Sequence, residues 1–96
     1  MNARDVEFAL LARCAVVARE GAQTAQDQRE ANVFRVAAMV MQFRFPGESG
    51  NLMQASEGYF TRYPDEKLEA ADIVRKGWVL SLPRLRDMLS RLLHGG

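Results

Sequence analysis

The chain contains 96 residues, of which 48% are hydrophobic and 26% are charged, so it has enough apolar side chains for one packed core and too many for a disordered segment. Its thirteen basic and twelve acidic residues leave a net charge of +1, which excludes a strong overall field for attracting nucleic acid or an anionic membrane. Cys14 is the single cysteine, so an intrachain disulfide is excluded, and we expect a location in the reducing cytoplasm.

The first predicted helix spans residues 4–20. Four apolar side chains recur along it at helical spacing and form a stripe: Val6, Leu10, Cys14 and Val17. A second apolar stripe lies beside the first, so this helix should be covered on two sides. Gly21 should end the helix as its C-terminal cap, and the weak helical tendency of residues 21–24 favours a helical hairpin over one long fused helix.

The second predicted helix spans residues 25–44 and needs an N-terminal cap, for which Thr24 and Asp27 are both suitable. Its apolar side chains form the predicted core stripe: Val33, Val36, Ala37, Val40 and Phe43. Pro46 should end this helix because it forces Phe45 out of helical geometry.

Turn-forming residues occupy positions 46–51, so we expect a loop there, followed by a short third helix over residues 52–62. A fourth helix should begin at Pro64, since proline fits the first turn and the two acids after it complement the positive helix end. Gly77 should end or bend this helix.

Residues 78–82 form a short apolar run with no second strand to pair with, so we interpret it as a buried connector or a continued helix. The last predicted helix spans residues 83–93, and leucines at helical spacing form a seam along it: Leu82, Leu85, Leu89 and Leu92. The whole pattern predicts an all-α fold, a compact bundle of four to five helices with short loops, in a single helical domain over residues 1–96. No apolar run reaches the roughly 18 residues of a membrane span, so we expect no membrane insertion.

Reactive residue types are too sparse for catalysis or metal binding. The one histidine, His94, lies near the end of the sequence and eighty positions from Cys14. A metal site needs several ligands at close spacing, and a nucleophile needs a base and an orienting group. Residues 46–50 contain two glycines but lack the Gly-Lys-Ser/Thr ending of a phosphate loop. We therefore expect no enzyme activity, no catalytic residue, no metal and no cofactor.

Large apolar side chains outnumber those that the core stripes need. Ten of them lie outside the main stripes: Phe8, Leu11, Phe34, Met39, Met41, Phe45, Met53, Phe60, Trp78 and Met88. A domain of this size cannot readily bury them all, so some should form an exposed patch, which marks an association site. The predicted partner-binding residues combine the leucine seam with nearby large side chains: Trp78, Leu82, Leu85, Met88, Leu89, Leu92, Met41 and Phe45. We expect a protein partner, and a homodimer paired through the leucine seam or the first hairpin.

The chain combines three features: a small size, eleven arginines against two lysines, and a C-terminal segment that contains Leu85, Met88, Leu89 and Leu92. In these features the chain resembles small bacterial anti-activators of quorum sensing. The resemblance implies a regulatory protein that sequesters a LuxR-type transcription regulator by covering its dimerisation surface. It rests on the whole chain and assigns no function to an individual residue.

Two other functions stay open from the sequence. Basic residues are concentrated in the C-terminal third, as in a small DNA-binding regulator: Arg75, Lys76, Arg84, Arg86 and Arg91. However, the last three do not share one helix face, and Pro83 lies near the start of the candidate recognition helix, so we do not expect nucleic acid as the partner. A helical accessory or chaperone subunit would differ from the regulator only in its partner.

Overall fold

The computed structural model describes residues 3–94, with side chains from Glu7 onward, and within that range it contains no β-strand. Its helices are α1 (Ala3–Glu20), α2 (Gln28–Met41), α3 (Pro46–Arg62), α4 (Ala70–Arg75) and α5 (Leu82–His94), with a 3-10 turn at Pro64–Glu66. This architecture confirms the predicted all-α fold of four to five helices joined by short segments.

The C-terminal end of α1 is capped as predicted. Gly21 has a positive φ of 68°, and its N–H donates to the Val17 carbonyl oxygen at 2.8 Å. The Asn51 side chain packs against this glycine, because a Cβ atom there would lie 3.0 Å from the Asn51 Oδ1. Asn51 Nδ2 also donates to a carbonyl oxygen in the last turn of α1 at 2.7 Å, which satisfies one of its free acceptors. Val6, predicted in the apolar stripe, lies outside the described side chains.

α1 and α2 are separate helices, but the predicted hairpin between them is wrong. They make few contacts with each other, and α3 and α5 pack against both of them. The reason lies in residues 21–27, where the Ala25 N–H donates to the Ala55 carbonyl oxygen at 3.1 Å. This bond holds the connecting segment against α3, so α2 does not fold back directly on α1.

α2 is the central helix of the bundle, since nine of its fourteen residues are buried. Asp27 is its N-terminal cap, not Thr24, and the Asp27 carboxylate accepts from the Glu30 N–H at 2.8 Å. The Glu30 carboxylate accepts in turn from the Gln26 N–H at 3.1 Å. The helix ends at Met41, three residues earlier than the sequence predicts.

The loop predicted over residues 46–51 is wrong, because α3 begins at Pro46 and includes this whole segment. Proline suits the first position of a helix, where its missing N–H would have no intrahelical partner. The Ser49 N–H donates to the Phe45 carbonyl oxygen at 2.8 Å and closes the first turn. The glycines that suggested a turn are tolerated inside the helix.

The fourth helix is shorter than predicted, because residues 67–69 are extended between the 3-10 turn and α4. The cause is Asn32 of α2, whose side chain is fully buried. Its Nδ2 donates to the Glu66 carbonyl oxygen at 3.0 Å, and its Oδ1 accepts from the Leu68 N–H at 2.8 Å. These two bonds satisfy a backbone carbonyl oxygen and a backbone N–H that would pair within the chain in an unbroken helix.

Gly77 ends α4 as predicted, with a positive φ of 76°. Residues 78–81 form a non-helical connector, which selects one of the two interpretations of the apolar run, and α5 starts at Leu82. Every helix contributes at least one large, buried side chain to the shared core: Leu11 from α1, Phe34 from α2, Leu52 from α3, Ile73 from α4 and Leu89 from α5.

Candidate interaction surface

Reactive side chains are not brought together in the part of the chain that the structure describes. Cys14 is enclosed in the core, and burial raises the pKa of its thiol far above the ordinary value. His94 is exposed on the last turn of α5. Among residues 7–94 no three His, Cys, Asp or Glu side chains are grouped as metal ligands, and no helix of the described chain combines the length and apolar character needed to cross a bilayer.

The partner-binding residues predicted from the sequence divide into two groups. Met41, Leu85 and Leu89 are 1%, 2% and 0% exposed, so they belong to the core and cannot touch a partner in this conformation. The leucine seam, which the sequence predicts as a partner-binding surface, instead faces the core, where α5 packs against α1 and α2. The other five are half-buried and pack on the edge of the core: Phe45, Trp78, Leu82, Met88 and Leu92.

Fewer large apolar side chains are exposed than the sequence predicts. Four of the ten side chains outside the main stripes are buried: Leu11, Phe34, Met41 and Phe60. Only Phe8 and Met39 of that set are largely exposed, at 58% and 44%. The exposed apolar surface therefore lies at a few places on the protein, and these places define the candidate sites.

Phe43 is the most exposed large apolar side chain described, at 92%, although the sequence placed it in the core stripe of α2. That prediction is wrong because Phe43 lies in the turn of residues 42–44, beyond the end of α2 at Met41, where no neighbouring element covers its side chain. The stripe itself is real up to that point, since Val36 and Ala37 are fully buried. Pro46 restricts only the residue directly before it, Phe45, so it does not place Phe43 outside the helix.

Phe43 lies at the rim of an open apolar groove of about 300 Å³ between the end of α2 and the start of α5. The groove, called here the apolar groove, is lined by residues from both helices and from the turn: Met39, Val40, Phe43, Leu82, Pro83 and Arg86. Of the eight residues predicted to bind a partner, Leu82 is the one that lines it. Apolar side chains held at the mouth of a groove can be buried by a partner, which is favourable by about 25 cal/mol per Å² covered.

A second groove follows the first along α5 and has a different character. This basic groove of about 310 Å³ is lined by charged and polar side chains: Arg44, Asp87, Ser90, Arg91 and His94. Asp87 is paired with the neighbouring Arg86 at 3.2 Å. Within the described chain, no carboxylate forms an ion pair with Arg44 or Arg91. The His94 ring also packs edge-on against Phe45, with centroids 6.3 Å apart, which connects the groove to the core edge.

No protein-family model, curated protein or solved structure matches the chain.

A third groove, of about 410 Å³, lies where α1 meets the start of α3. Its polar groups are already used within the protein, since Asn51 donates to the Ala18 carbonyl oxygen and Arg19 donates to the Leu92 carbonyl oxygen. Glu48 also lines this groove and would repel an anionic ligand. The third groove therefore has fewer free groups to bind a ligand than the apolar and basic grooves have. We name these two grooves along α5 together the α2–α5 face.

Proposed function

We propose that this protein is a non-enzymatic regulator that acts in the cytoplasm by binding another protein through the α2–α5 face. The observation that supports the proposal is the exposure of Phe43 at the mouth of the apolar groove. Single exposed apolar residues are ordinary, but Phe43 adjoins Met39 and a concave surface that fits a partner side chain. Aromatic, methionine and arginine side chains are enriched at the centres of protein interfaces.

The mode of regulation that we propose is masking, in which the protein covers a dimerisation surface of a LuxR-type transcription regulator. The basis for this choice is the whole-chain resemblance to small bacterial anti-activators. A protein without catalytic groups can regulate in this way by mass action, because binding one state of the target shifts the equilibrium by the difference in affinity. A helical accessory or chaperone subunit would use the same face on a different partner.

Site-specific photocrosslinking tests the proposed surface. Phe43→p-benzoylphenylalanine in the native cell should give a covalent adduct with one protein. Tyr63→p-benzoylphenylalanine is the matched control, since Tyr63 is also an exposed aromatic residue and lines neither groove. Adducts from position 43 that are no stronger than those from position 63 would remove the α2–α5 face as a binding site.

The anti-activator part of the proposal needs a separate measurement. The purified protein should lower the DNA affinity of the LuxR-type regulator from the same organism and convert the regulator dimer to a monomer. Phe43→Ser should lose both effects while keeping its helical circular dichroism. A regulator that stays dimeric and bound to DNA at saturating protein would contradict the masking mode.

Homodimer formation remains part of the proposal, but the surface for it changes because the leucine seam is internal. The outer side of α1 carries an uncharged stripe of Phe8, Ala12 and Val16 at four-residue spacing, and Val16 is 40% exposed. A two-fold pairing of this stripe needs no charge complement. Light scattering should show a dimer that Val16→Arg converts to a monomer, and an unchanged mass for this variant would exclude the stripe.

DNA binding is the rival that the basic groove favours, since Arg44 and Arg91 line it and Arg86 lines the adjoining apolar groove. A titration of labelled duplex DNA over a range of salt concentrations separates the two functions. Tight binding with a steep salt dependence would favour the rival, because phosphate contacts release counterions.

A further inference from the structure

The two grooves of the α2–α5 face form one continuous surface with an apolar end and a cationic end. Leu82, Pro83 and Arg86 line the apolar groove, and the following turns of α5 line the basic groove as far as His94. The thirteen residues from Leu82 to His94 span twelve steps of about 1.5 Å, or about 18 Å, which is about three turns of a partner helix.

Positive charge is concentrated at the α2–α5 face. The two grooves together are lined by three arginines, Arg44, Arg86 and Arg91, and by one carboxylate, Asp87, which leaves an excess of two positive charges. That excess is larger than the net charge of +1 for the whole chain. Guanidinium groups bind carboxylates in a bidentate geometry that fixes orientation as well as adding affinity.

We infer that the α2–α5 face binds an acidic amphipathic helical segment of the partner protein. Apolar side chains of the segment enter the apolar groove beside Phe43, and its carboxylates pair with Arg44 and Arg91. An amphipathic helix laid in a groove is a recurring mode of peptide recognition, with anchors at i, i+3, i+4 and i+7. The inference rests on the proposed function, and it adds the chemistry of the partner.

Other occupants fit this combination less well. A second copy related by a two-fold axis through the face would bring the same arginines towards each other. Repulsion between these like charges would oppose the pairing. Duplex DNA would pair with the basic groove and leave the apolar groove and Phe43 uncovered. An anionic bilayer presents a flat interface, which would cover little of the concave grooves.

The first test maps the partner segment from the photocrosslink at position 43. Mass spectrometry of the digested adduct should place the crosslink in a segment with at least three more acidic than basic residues in about 14, at helical spacing from apolar ones. An adduct whose crosslinked segment is neutral or basic would overturn the inference while the proposed function stands. An adduct that does not form would overturn the proposed function itself, so the two failures are distinguishable.

Charge reversal supplies the matched control in the same experiment. Arg44→Glu with Arg91→Glu should reduce the crosslink yield from position 43 by roughly tenfold. Arg62→Glu with Lys67→Glu changes the overall charge by the same amount on exposed residues that line neither groove, and should leave the yield unchanged. Equal yields from the two double variants, with circular dichroism showing both folded, would overturn the inference.

A binding titration of the intact protein tests the chemistry with defined probes. A labelled helical peptide of about 14 residues, with leucines on one face and glutamates beside them, should bind at least tenfold more tightly than the same peptide with glutamine in place of glutamate. Arg44→Glu with Arg91→Glu should remove that preference.

Three results, from this titration or from parallel measurements with vesicles, duplex DNA or the protein alone, would overturn the inference. The first is equal affinity for the two peptides. The second is stronger binding to vesicles of phosphatidylcholine and phosphatidylserine, or to duplex DNA, than to the acidic peptide. The third is self-association that Arg44→Glu changes, which would assign the face to a second copy.

Discussion

Phe43 and Arg44 are adjacent in the chain, yet they line two different grooves, Phe43 the apolar groove and Arg44 the basic groove. This arrangement places an apolar contact and a charged contact side by side on the turn that follows α2. The two kinds of contact can therefore be removed separately by single substitutions, without changing a buried residue.

Truncation of Phe43 and truncation of Leu89 should change the free energy of unfolding by different amounts, although the sequence pattern places both residues on apolar stripes. Phe43→Ala should change the free energy of unfolding by no more than about 0.5 kcal/mol, because the side chain is exposed. Leu89→Ala should lower it by about 2–5 kcal/mol, because it leaves a cavity in the core. Urea unfolding followed by circular dichroism measures both values. Similar losses for the two variants would mean that Phe43 is enclosed in solution.

Asn32 should be important for the segment that joins the 3-10 turn to α4. Asn32→Ala removes the acceptor of the Leu68 N–H and a donor to the Glu66 carbonyl oxygen, so it should lower the free energy of unfolding by about 1–3 kcal/mol. Amide hydrogen exchange at Leu68 should become faster. Gln54→Ala, on an exposed position of α3, is the control and should change stability by less than about 0.5 kcal/mol. Unchanged exchange at Leu68 would contradict the assigned bond.

Tyr59 should ionise at unusually high pH. Its hydroxyl donates to the Glu66 carboxylate at 2.5 Å, and this bond is the main reason that the pKa of Tyr59 rises from about 10 to about 12. Because the neutral phenol is favoured in the folded state, its contribution to stability is full below pH 10 and is lost as the pH rises towards 12. Ultraviolet absorbance of the tyrosinate measures the titration.

Two variants control the Tyr59 titration. Glu66→Gln should move the pKa of Tyr59 back towards 10, because it removes the charged acceptor. Tyr59→Phe should eliminate the late component of the curve. A titration that Glu66→Gln leaves unchanged would show that another group causes the shift.

Cys14 should be inert in the folded protein. The thiol is enclosed in the core, and burial raises its pKa, so the reactive thiolate is scarce. Reaction with a disulfide reagent such as dithionitrobenzoate should proceed at the rate at which the protein unfolds, and it should be rapid in urea. Rapid reaction of the native protein would place Cys14 at an accessible surface.

The helical class, the existence of the helices and the cap at Gly21 can be predicted from local patterns, because these features depend on residues close together in the chain. The stripe through Val36 and Ala37 was predicted correctly for the same reason, since helical periodicity reports a shared face. Periodicity does not report how far a helix continues, so the start of α3 at Pro46 and the end of α2 at Met41 were missed.

Which apolar faces are covered depends on how the helices pack against one another. Leu85 and Leu89 carry the same pattern whether α5 turns its seam inward or outward, and the packing of α5 on α1 and α2 puts the seam inside. The same packing leaves Phe43 uncovered beyond the end of α2. Burial is a property of the neighbours that a side chain meets, and those neighbours are brought together by contacts between distant parts of the chain that no local pattern encodes.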